Sequence, residues 1–269
     1  MPASRQPKPK SVEALVLAGR RGGADALAEA HGVSHKALAT MRGRPLLAHV
    51  LAALRALPEI ARVTVSIDDA SALERHPEFG PQLARGELGL HHSTASPADS
   101  VRDFVERTGS ALTLVTTADH PLLRAETVRA FLRDALASEA ALAVALVPAE
   151  AVLAVAPGSQ RTWLNLGKER FTGANLFLAR APDAAKVAAF WRKAEGFRKE
   201  PWRLAAVFGA VTLARFAAGR LPLDAALAAI SKATGAACAA VRLADGYAGI
   251  DVDKPADFAL AEKLLAERG

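Results

Sequence analysis

The chain has one cysteine in 269 residues. That excludes an internal disulfide and any cysteine-based zinc site, and Cys238, set among alanines, reads as a small packing thiol. Aromatic residues make up only 5% of the chain and its basic residues are dispersed. With no helix-turn-helix, finger or RNP-type motif, nucleic acid is not an expected partner. Long apolar runs are missing too: none reaches the roughly 18 residues of a membrane span. The basic, Pro-rich stretch from Pro2 to Lys10 is not followed by the apolar core of a secretory signal. Residues 1–10 are therefore expected to be a loose tail, and the location to be cytoplasmic. His31 and His35 lie four apart without the intervening glutamate of a zinc hydrolase. No Gly-x-Ser-x-Gly elbow supports a serine hydrolase.

What the chain does have is apolar mass, 51% of its residues, enough for a large core. Short apolar runs bounded by polar or turn residues occur at Glu13–Ala18, Arg62–Ile67, Ala111–Thr117, Ala140–Val147 and Gly173–Leu178. They predict strands covered on both faces. Helical patterns fill the gaps at Pro45–Leu57, Pro97–Arg107, Arg124–Ser138 and Pro255–Glu267, several with proline in the first turn, where its missing N–H costs nothing. The alternation predicts an α/β fold, a mostly parallel sheet flanked by helices. Residues 183–235 break it, with helical patterns at Ala184–Glu195, Pro201–Ala218 and Pro222–Thr234. They are expected to form a helical insertion within one domain spanning residues 11–269.

The first strand runs into Leu17-Ala-Gly-Arg-Arg-Gly-Gly23. Glycines let backbone N–H groups close around phosphate oxygens, and fixed cations neutralise them. Leu17, Ala18, Gly19, Gly22 and Gly23, with Arg20, Arg21 and the following Lys36, are thus candidates to hold a triphosphate. The net charge of +6 is met by such a ligand. Ligands of parallel α/β sheets sit outside the carboxyl ends of the strands, and Asp119, Asp251 and Asp253 fall at such positions. Asp119 with Asp253 suits one Mg²⁺, completed by phosphate oxygens and water; Asp251 is a further candidate ligand and Asp257 reads as structural. His120 lines the same end.

Thr94 and Ser100 flank a strand-to-helix turn suited to a nucleobase edge, although Ser96-Pro97 is equally a helix cap. Asn175, in an apolar strand, needs a partner if buried: a ribose or acceptor hydroxyl, or neighbouring backbone. Arg161, Lys168 and Arg170 precede that strand and either grip an acceptor phosphate or lie in a solvated loop.

The ordered set of Leu17-Ala-Gly19 with Arg20/Arg21, His35-Lys36-Ala-Leu, Gly43-Arg-Pro, Asp99-Ser100-Val101, Ala118-Asp119-His-Pro121, Gly173-Ala-Asn175 and Ile250-Asp-Val-Asp253-Lys-Pro-Ala-Asp257 resembles the MobA-like nucleotidyltransferases. The resemblance spans roughly residues 12–180 and 240–265. It implies a Rossmann-like (GT-A type) sheet and a Mg²⁺-dependent transfer of a nucleoside monophosphate from a triphosphate, CTP or GTP first, to a phosphorylated acceptor. A sugar, polyol or lipid head-group precursor would be the acceptor, and pyrophosphate would be released. By position, Lys36 matches the family lysine on the α-phosphate, Arg20 or Arg21 the loop arginine, and Asp119 and Asp253 the metal ligands.

Three departures stand out. Arg20 occupies a glycine position of the family loop. Pro97 replaces an arginine that the cytidylyltransferases carry near the base. The insertion, with Lys193, Arg198, Lys199 and Arg203 near Trp191 and Trp202, is assigned no counterpart by the resemblance. It fits an acceptor pocket, a peripheral membrane contact or plain amphipathic packing.

Rival classes leave weaker marks. Gly19, Gly22 and Gly23 do not fit the Gly-x-Gly-x-x-Gly of a dinucleotide site, and Gly167-Lys168 lacks the Ser/Thr of a P-loop. A metal-dependent GT-A glycosyltransferase would share the sheet, but Asp251-Val-Asp253 stands near the end of the sequence rather than after a central strand. A non-catalytic nucleotide-binding regulator is the remaining alternative.

Overall fold

The computed structural model describes residues 11–20, 25–197 and 206–268, and in the helix 184–197 the side chains through Phe190 and that of Arg192. The expectations for the 1–10 tail, Arg21, Gly22, Gly23, Lys193, Arg198, Lys199, Arg203 and the two tryptophans 191 and 202 fall outside what it describes.

The described residues contain ten strands: β1 (Val12–Leu17), β2 (Thr40–Met41), β3 (Arg44–Pro45), β4 (Ile60–Ile67), β5 (Gly89–His92), β6 (Leu112–Thr117), β7 (Leu142–Pro148), β8 (Leu164–Leu166), β9 (Glu169–Arg180) and β10 (Cys238–Arg242). Eight form one sheet in the order β10-β7-β9-β6-β1-β4-β5, with β8 paired to β9; β2 and β3 make a separate hairpin. β6, β1, β4 and β5 are mutually parallel. β9 is antiparallel to both β6 and β7. The sheet is mostly parallel, as the alternation predicts, with one strand reversed near its middle.

Apolar residues at alternate positions of the strands face one main core. Val12, Ala14 and Val16 of β1, Val63 and Val65 of β4, and Leu114 of β6 pack there with the helices Leu46–Arg55 and Ala125–Ala137. The opposite face is more polar. There Ser66 Oγ lies 2.9 Å from His91 Nδ1 on the neighbouring strand, and His91 Nε2 lies 2.9 Å from Asp103 in the helix Pro97–Thr108. The expected cap is present: Ser96 Oγ accepts from Asp99 N at 3.1 Å.

The insertion contains the helices Ala184–Phe197, Ala210–Ala217 and Leu223–Thr234. It joins the sheet through two small clusters of its own, Leu146, Leu166, Phe171 and Leu223, and Ala141, Val187 and Ala236. Cys238 packs beside the second, as expected. No described helix is long and apolar enough to cross a membrane.

A short turn leads the last part of the chain along the sheet edge. Residues Gly246–Gly249 form a 3-10 turn capped by Asp245, whose side chain accepts from Tyr247 N. This turn lies against the helix Ala149–Val155 so closely that a Cβ on Gly246 would stand 2.0 Å from the carbonyl oxygen of Ala151. That oxygen is backbone, which cannot rotate away. Gly246→Ala is expected to destabilise the protein by about 1–3 kcal/mol, the usual cost of overpacking; an unchanged urea midpoint would show that the turn moves freely.

Candidate active site

The parallel strands end at one edge, and sheet hydrogen bonds carry on into the loops beyond them. Ala18 N donates to Ser66 O at 2.8 Å, Ala118 N to Leu17 O at 2.9 Å and Ser93 N to Ile67 O at 2.9 Å. The backbone groups of Leu17 and Ala18 thus belong to the sheet, and the exposed loop starts at Gly19. A Cβ at Gly19 would lie 2.8 Å from Ser93 Oγ, so the first loop lies close against the third, and a larger residue would require the Ser93 side chain to shift. This edge therefore collects residues from after β1, β4, β5 and β6, as the strand-end rule anticipates.

Lys36 opens a single 3-10 turn, Lys36–Leu38, and reaches to the centre of this edge. Its Nζ lies 2.5 Å from Asp119 Oδ2 and 2.6 Å from Asp253 Oδ1. Three segments far apart in sequence thus meet on one ammonium. Burial opposes the charge, yet Asp119 and then Asp253 outweigh it and hold the lysine pKa above its ordinary value. Asp119 is buried, and its second oxygen, Oδ1, has no hydrogen-bond partner. An orphaned buried carboxylate oxygen beside a second carboxylate is the donor set a hard divalent cation takes. His120 is buried next to it, and burial keeps its imidazole pKa below the ordinary value.

Asp251 is held differently. Its Oδ1 lies 3.0 Å from Arg161 Nη2, and its Oδ2 accepts from Asn175 Nδ2 at 2.9 Å. Both oxygens already have protein partners, which sets it apart from Asp119. Burial raises its pKa, while Arg161 pulls the other way. The Arg161 side chain, only 8% exposed, also donates to the carbonyls of Gly249 (3.1 Å) and Asp251 (2.8 Å) and lies 3.4 Å from Asp257. Asp257 accepts in turn from Asp253 N and Lys254 N, the structural role the sequence suggests. Arg161 is therefore the tie that folds the Asp251–Asp253 loop.

Asn175 reaches this loop because β9 is bulged. Between Val144 and Leu146 of β7 its register slips, and Asn175 itself sits at φ +50°. A bulge bends the strand and re-aims a side chain. Here it turns a strand asparagine towards Asp251.

The remaining expected site residues stand around this centre without touching it. Lys168 and Arg170 are exposed on the β8–β9 hairpin. Arg170 is five residues from Asn175, about 16 Å along an extended strand, with its guanidinium 5.7 Å from the ring centre of Trp163. Ser100 is buried, accepts from Thr94 N at 2.9 Å and donates to Ser96 O at 3.0 Å. It shapes the loop after β5 from beneath, while Thr94 is on its surface.

One residue at the centre escaped the sequence reading, which left Asp68 as the polar end of a strand. Its Oδ1 accepts from Arg20 N at 2.9 Å and lies 3.0 Å from His35 Nε2; its Oδ2 accepts from Arg20 Nε at 2.9 Å. Burial disfavours its charge, but the Arg20 amide and guanidinium, with His35, outweigh this and lower its pKa to about 2. The available signal was positional: Asp68 ends the strand beside the one that opens the loop.

The model of the MobA-like NTP transferase domain matches residues 14–187, well over half the chain. The protein belongs to the MobA-like NTP transferase family, and its fold is that of nucleotidyltransferases. A hypothetical transferase from Thermus thermophilus is 31% identical in sequence, with a TM-score of 0.75 over 92% of this chain and 99% of that one. A CMP:2-keto-3-deoxy-manno-octonic acid synthetase solved with CTP superposes with a TM-score of 0.59 over 96% of this chain and all of that one. Its 14% identity makes that a likeness of fold. The bifunctional protein GlmU of Stenotrophomonas maltophilia (strain R551-3) is 37% identical over 113 residues. That match takes in 40% of this chain and only 23% of GlmU, so the chain spans under a quarter of that relative.

Because the folded-state pKa of Asp68, about 2, lies below its ordinary 3.8, its ionised form stabilises the fold above about pH 4 and that contribution fades as pH falls towards 2. Asp68→Asn is expected to flatten the acid limb of the stability curve in that window, read from urea midpoints. Limbs that stay parallel to those of the natural chain would show that the carboxylate is not linked to folding.

Proposed function

We propose that the protein is a nucleotidyltransferase that passes a nucleoside monophosphate from a nucleoside triphosphate to a phosphorylated small-molecule acceptor. An oxygen of the acceptor phosphate forms a bond to the α-phosphorus, the bond from that phosphorus to the bridging oxygen breaks, and pyrophosphate departs. The observation that carries this reading is the meeting of Lys36, Asp119 and Asp253 at the strand ends, beside a loop that presents Arg20.

Asp119, through its unpartnered Oδ1, and Asp253 would hold one Mg²⁺; when bound, it would neutralise charge on the triphosphate and on the departing pyrophosphate. The remaining work is positioning and charge neutralisation by the chain's own groups. Lys36, already kept charged, would face the α-phosphate oxygens, with Asp119 and Asp253 the residues that would hold the cation. Arg20 and the Gly19 backbone hold the outer phosphates, with Arg21, Gly22 and Gly23 assigned to the same loop. No general base is needed, because a phosphate monoester is already anionic near neutral pH.

Thr94 and the backbone beside it meet the nucleobase, with CTP and GTP the first donors to test. Asn175 uses one amide hydrogen on Asp251, and its other polar groups suit a ribose or acceptor hydroxyl. Arg161 and Asp251 hold the loop that carries Asp253 in place. The exposed Lys168 and Arg170 lie too far along β9 to join that centre without a long acceptor. A sugar, polyol or lipid head-group phosphate fits the acceptor side, and we assign the reaction to the cytoplasm.

The test is a thermal-shift screen of the four ribonucleoside triphosphates with Mg²⁺, since a ligand that binds the native state raises its melting temperature. The best stabiliser is then incubated with phosphorylated sugars, polyols and head-group precursors. Pyrophosphate is the expected product; a nucleoside diphosphate in its place would point to glycosyl transfer and overturn the proposal. Lys36→Ala and Asp119→Ala are each expected to lower turnover by at least about 100-fold, the scale of losing one transition-state contact. Turnover like that of the natural chain in both variants would remove their assigned roles.

A further inference from the structure

Arg20 follows Gly19 in the loop after β1, and both its amide and its guanidinium are committed to one carboxylate. The Arg20 N–H donates to Asp68 Oδ1 at 2.9 Å instead of standing open to a ligand. Its guanidinium meets the other carboxylate oxygen through Nε and Nη2, both at 2.9 Å. The first of these oxygens also lies 3.0 Å from Nε2 of His35, a residue 1% exposed and directly before Lys36. Ser34 Oγ fixes the other ring nitrogen at 2.9 Å. One carboxylate therefore joins the two segments that deliver the site's positive charges, across 48 residues on one side and 33 on the other. Nη1 of Arg20 is not used in either bond.

We propose that Asp68 is a positioning residue that fixes Arg20 and, through His35, Lys36 at the spacing a triphosphate requires. The inference rests on the nucleotidyl-transfer reading above and adds a residue to it. An arginine free of Asp68 would still attract phosphate, so ground-state binding does not need this carboxylate. Alignment of Arg20 with charge that builds on the outer phosphates as pyrophosphate departs, and of Lys36 with charge at the α-phosphate, does need it.

The test compares Asp68→Asn, which keeps the side-chain shape, in the natural chain and in an Arg20→Ala background. In the natural background kcat is expected to fall by about 10- to 100-fold with KM for the triphosphate changed less than about threefold, the pattern of a contact made in the transition state. In the Arg20→Ala background the same change is expected to cost clearly less, about three- to tenfold in kcat, because the Arg20 arm is already lost, coupled residues are not additive, and only the path through His35 to Lys36 remains. Equal falls in both backgrounds, or a rise in KM with kcat intact, would overturn the proposal.

A second readout does not depend on catalysis. Amide hydrogen exchange at residues 18–20 is expected to quicken in Asp68→Asn while exchange in β1 and β6 stays slow, which also reports that the variant is folded. Loop exchange equal to that of the natural chain overturns the proposal. Should the natural chain release no pyrophosphate with any triphosphate, the nucleotidyl reading fails by itself, and the exchange measurement still decides whether Asp68 holds the loop.

Discussion

The ammonium of Lys36 between Asp119 and Asp253 is the contact on which the remainder of the site depends. Two carboxylates this close repel each other, and burial makes the repulsion costlier. A cation between them removes the conflict and fixes the distance between the end of β6 and a loop more than a hundred residues later. Arg161 applies the same logic one layer further out, where its buried guanidinium gathers the carbonyls of Gly249 and Asp251 with the carboxylates of Asp251 and Asp257. Charge at this edge is balanced pair by pair, so the acidic groups can be concentrated without unfolding it.

The sheet supplies this arrangement through its direction. Four parallel strands end together, and the segments after them form the proposed nucleotide side of the site. β9 enters from the other direction, so its early residues reach the same edge that the parallel strands reach with their last. Its bulge places Asn175 where a regular strand would have kept it in register. The helix Ala184–Phe197 then runs back along the polar face, and Arg192 comes to 3.5 Å from Asp99, near the cap of the helix that follows the β5 loop. The insertion is thereby attached next to the proposed base-binding loop, although it leaves the sheet at the opposite edge.

Much of this was legible in the chain. Small and charged residues after apolar runs mark strand ends whatever the partners, which is why Gly19, Arg20, Lys36, Asp119 and Asp253 stood out. Asp68 did not, because a carboxylate after a strand is ordinarily a turn residue and only tertiary structure reveals that Arg20 and His35 converge on it. Arg161, Lys168 and Arg170 looked alike as a basic cluster. The hairpin separates them, burying the first and exposing the others, and nothing in their spacing encodes that turn. The bulge at Asn175 was equally hidden, since a left-handed asparagine leaves no periodic mark. β10 is rich in alanine, a poor strand former, and owes its conformation to pairing with β7. The short strands β5 and β8 fell below the length at which alternation can be seen.

The bond from Lys36 to Asp253 joins positions 217 residues apart. Lys36 and Asp119 leave the ribosome well before Asp253 and the loop that Arg161 holds. A chain cut short between them would leave the ammonium of Lys36 with one carboxylate where two meet it here.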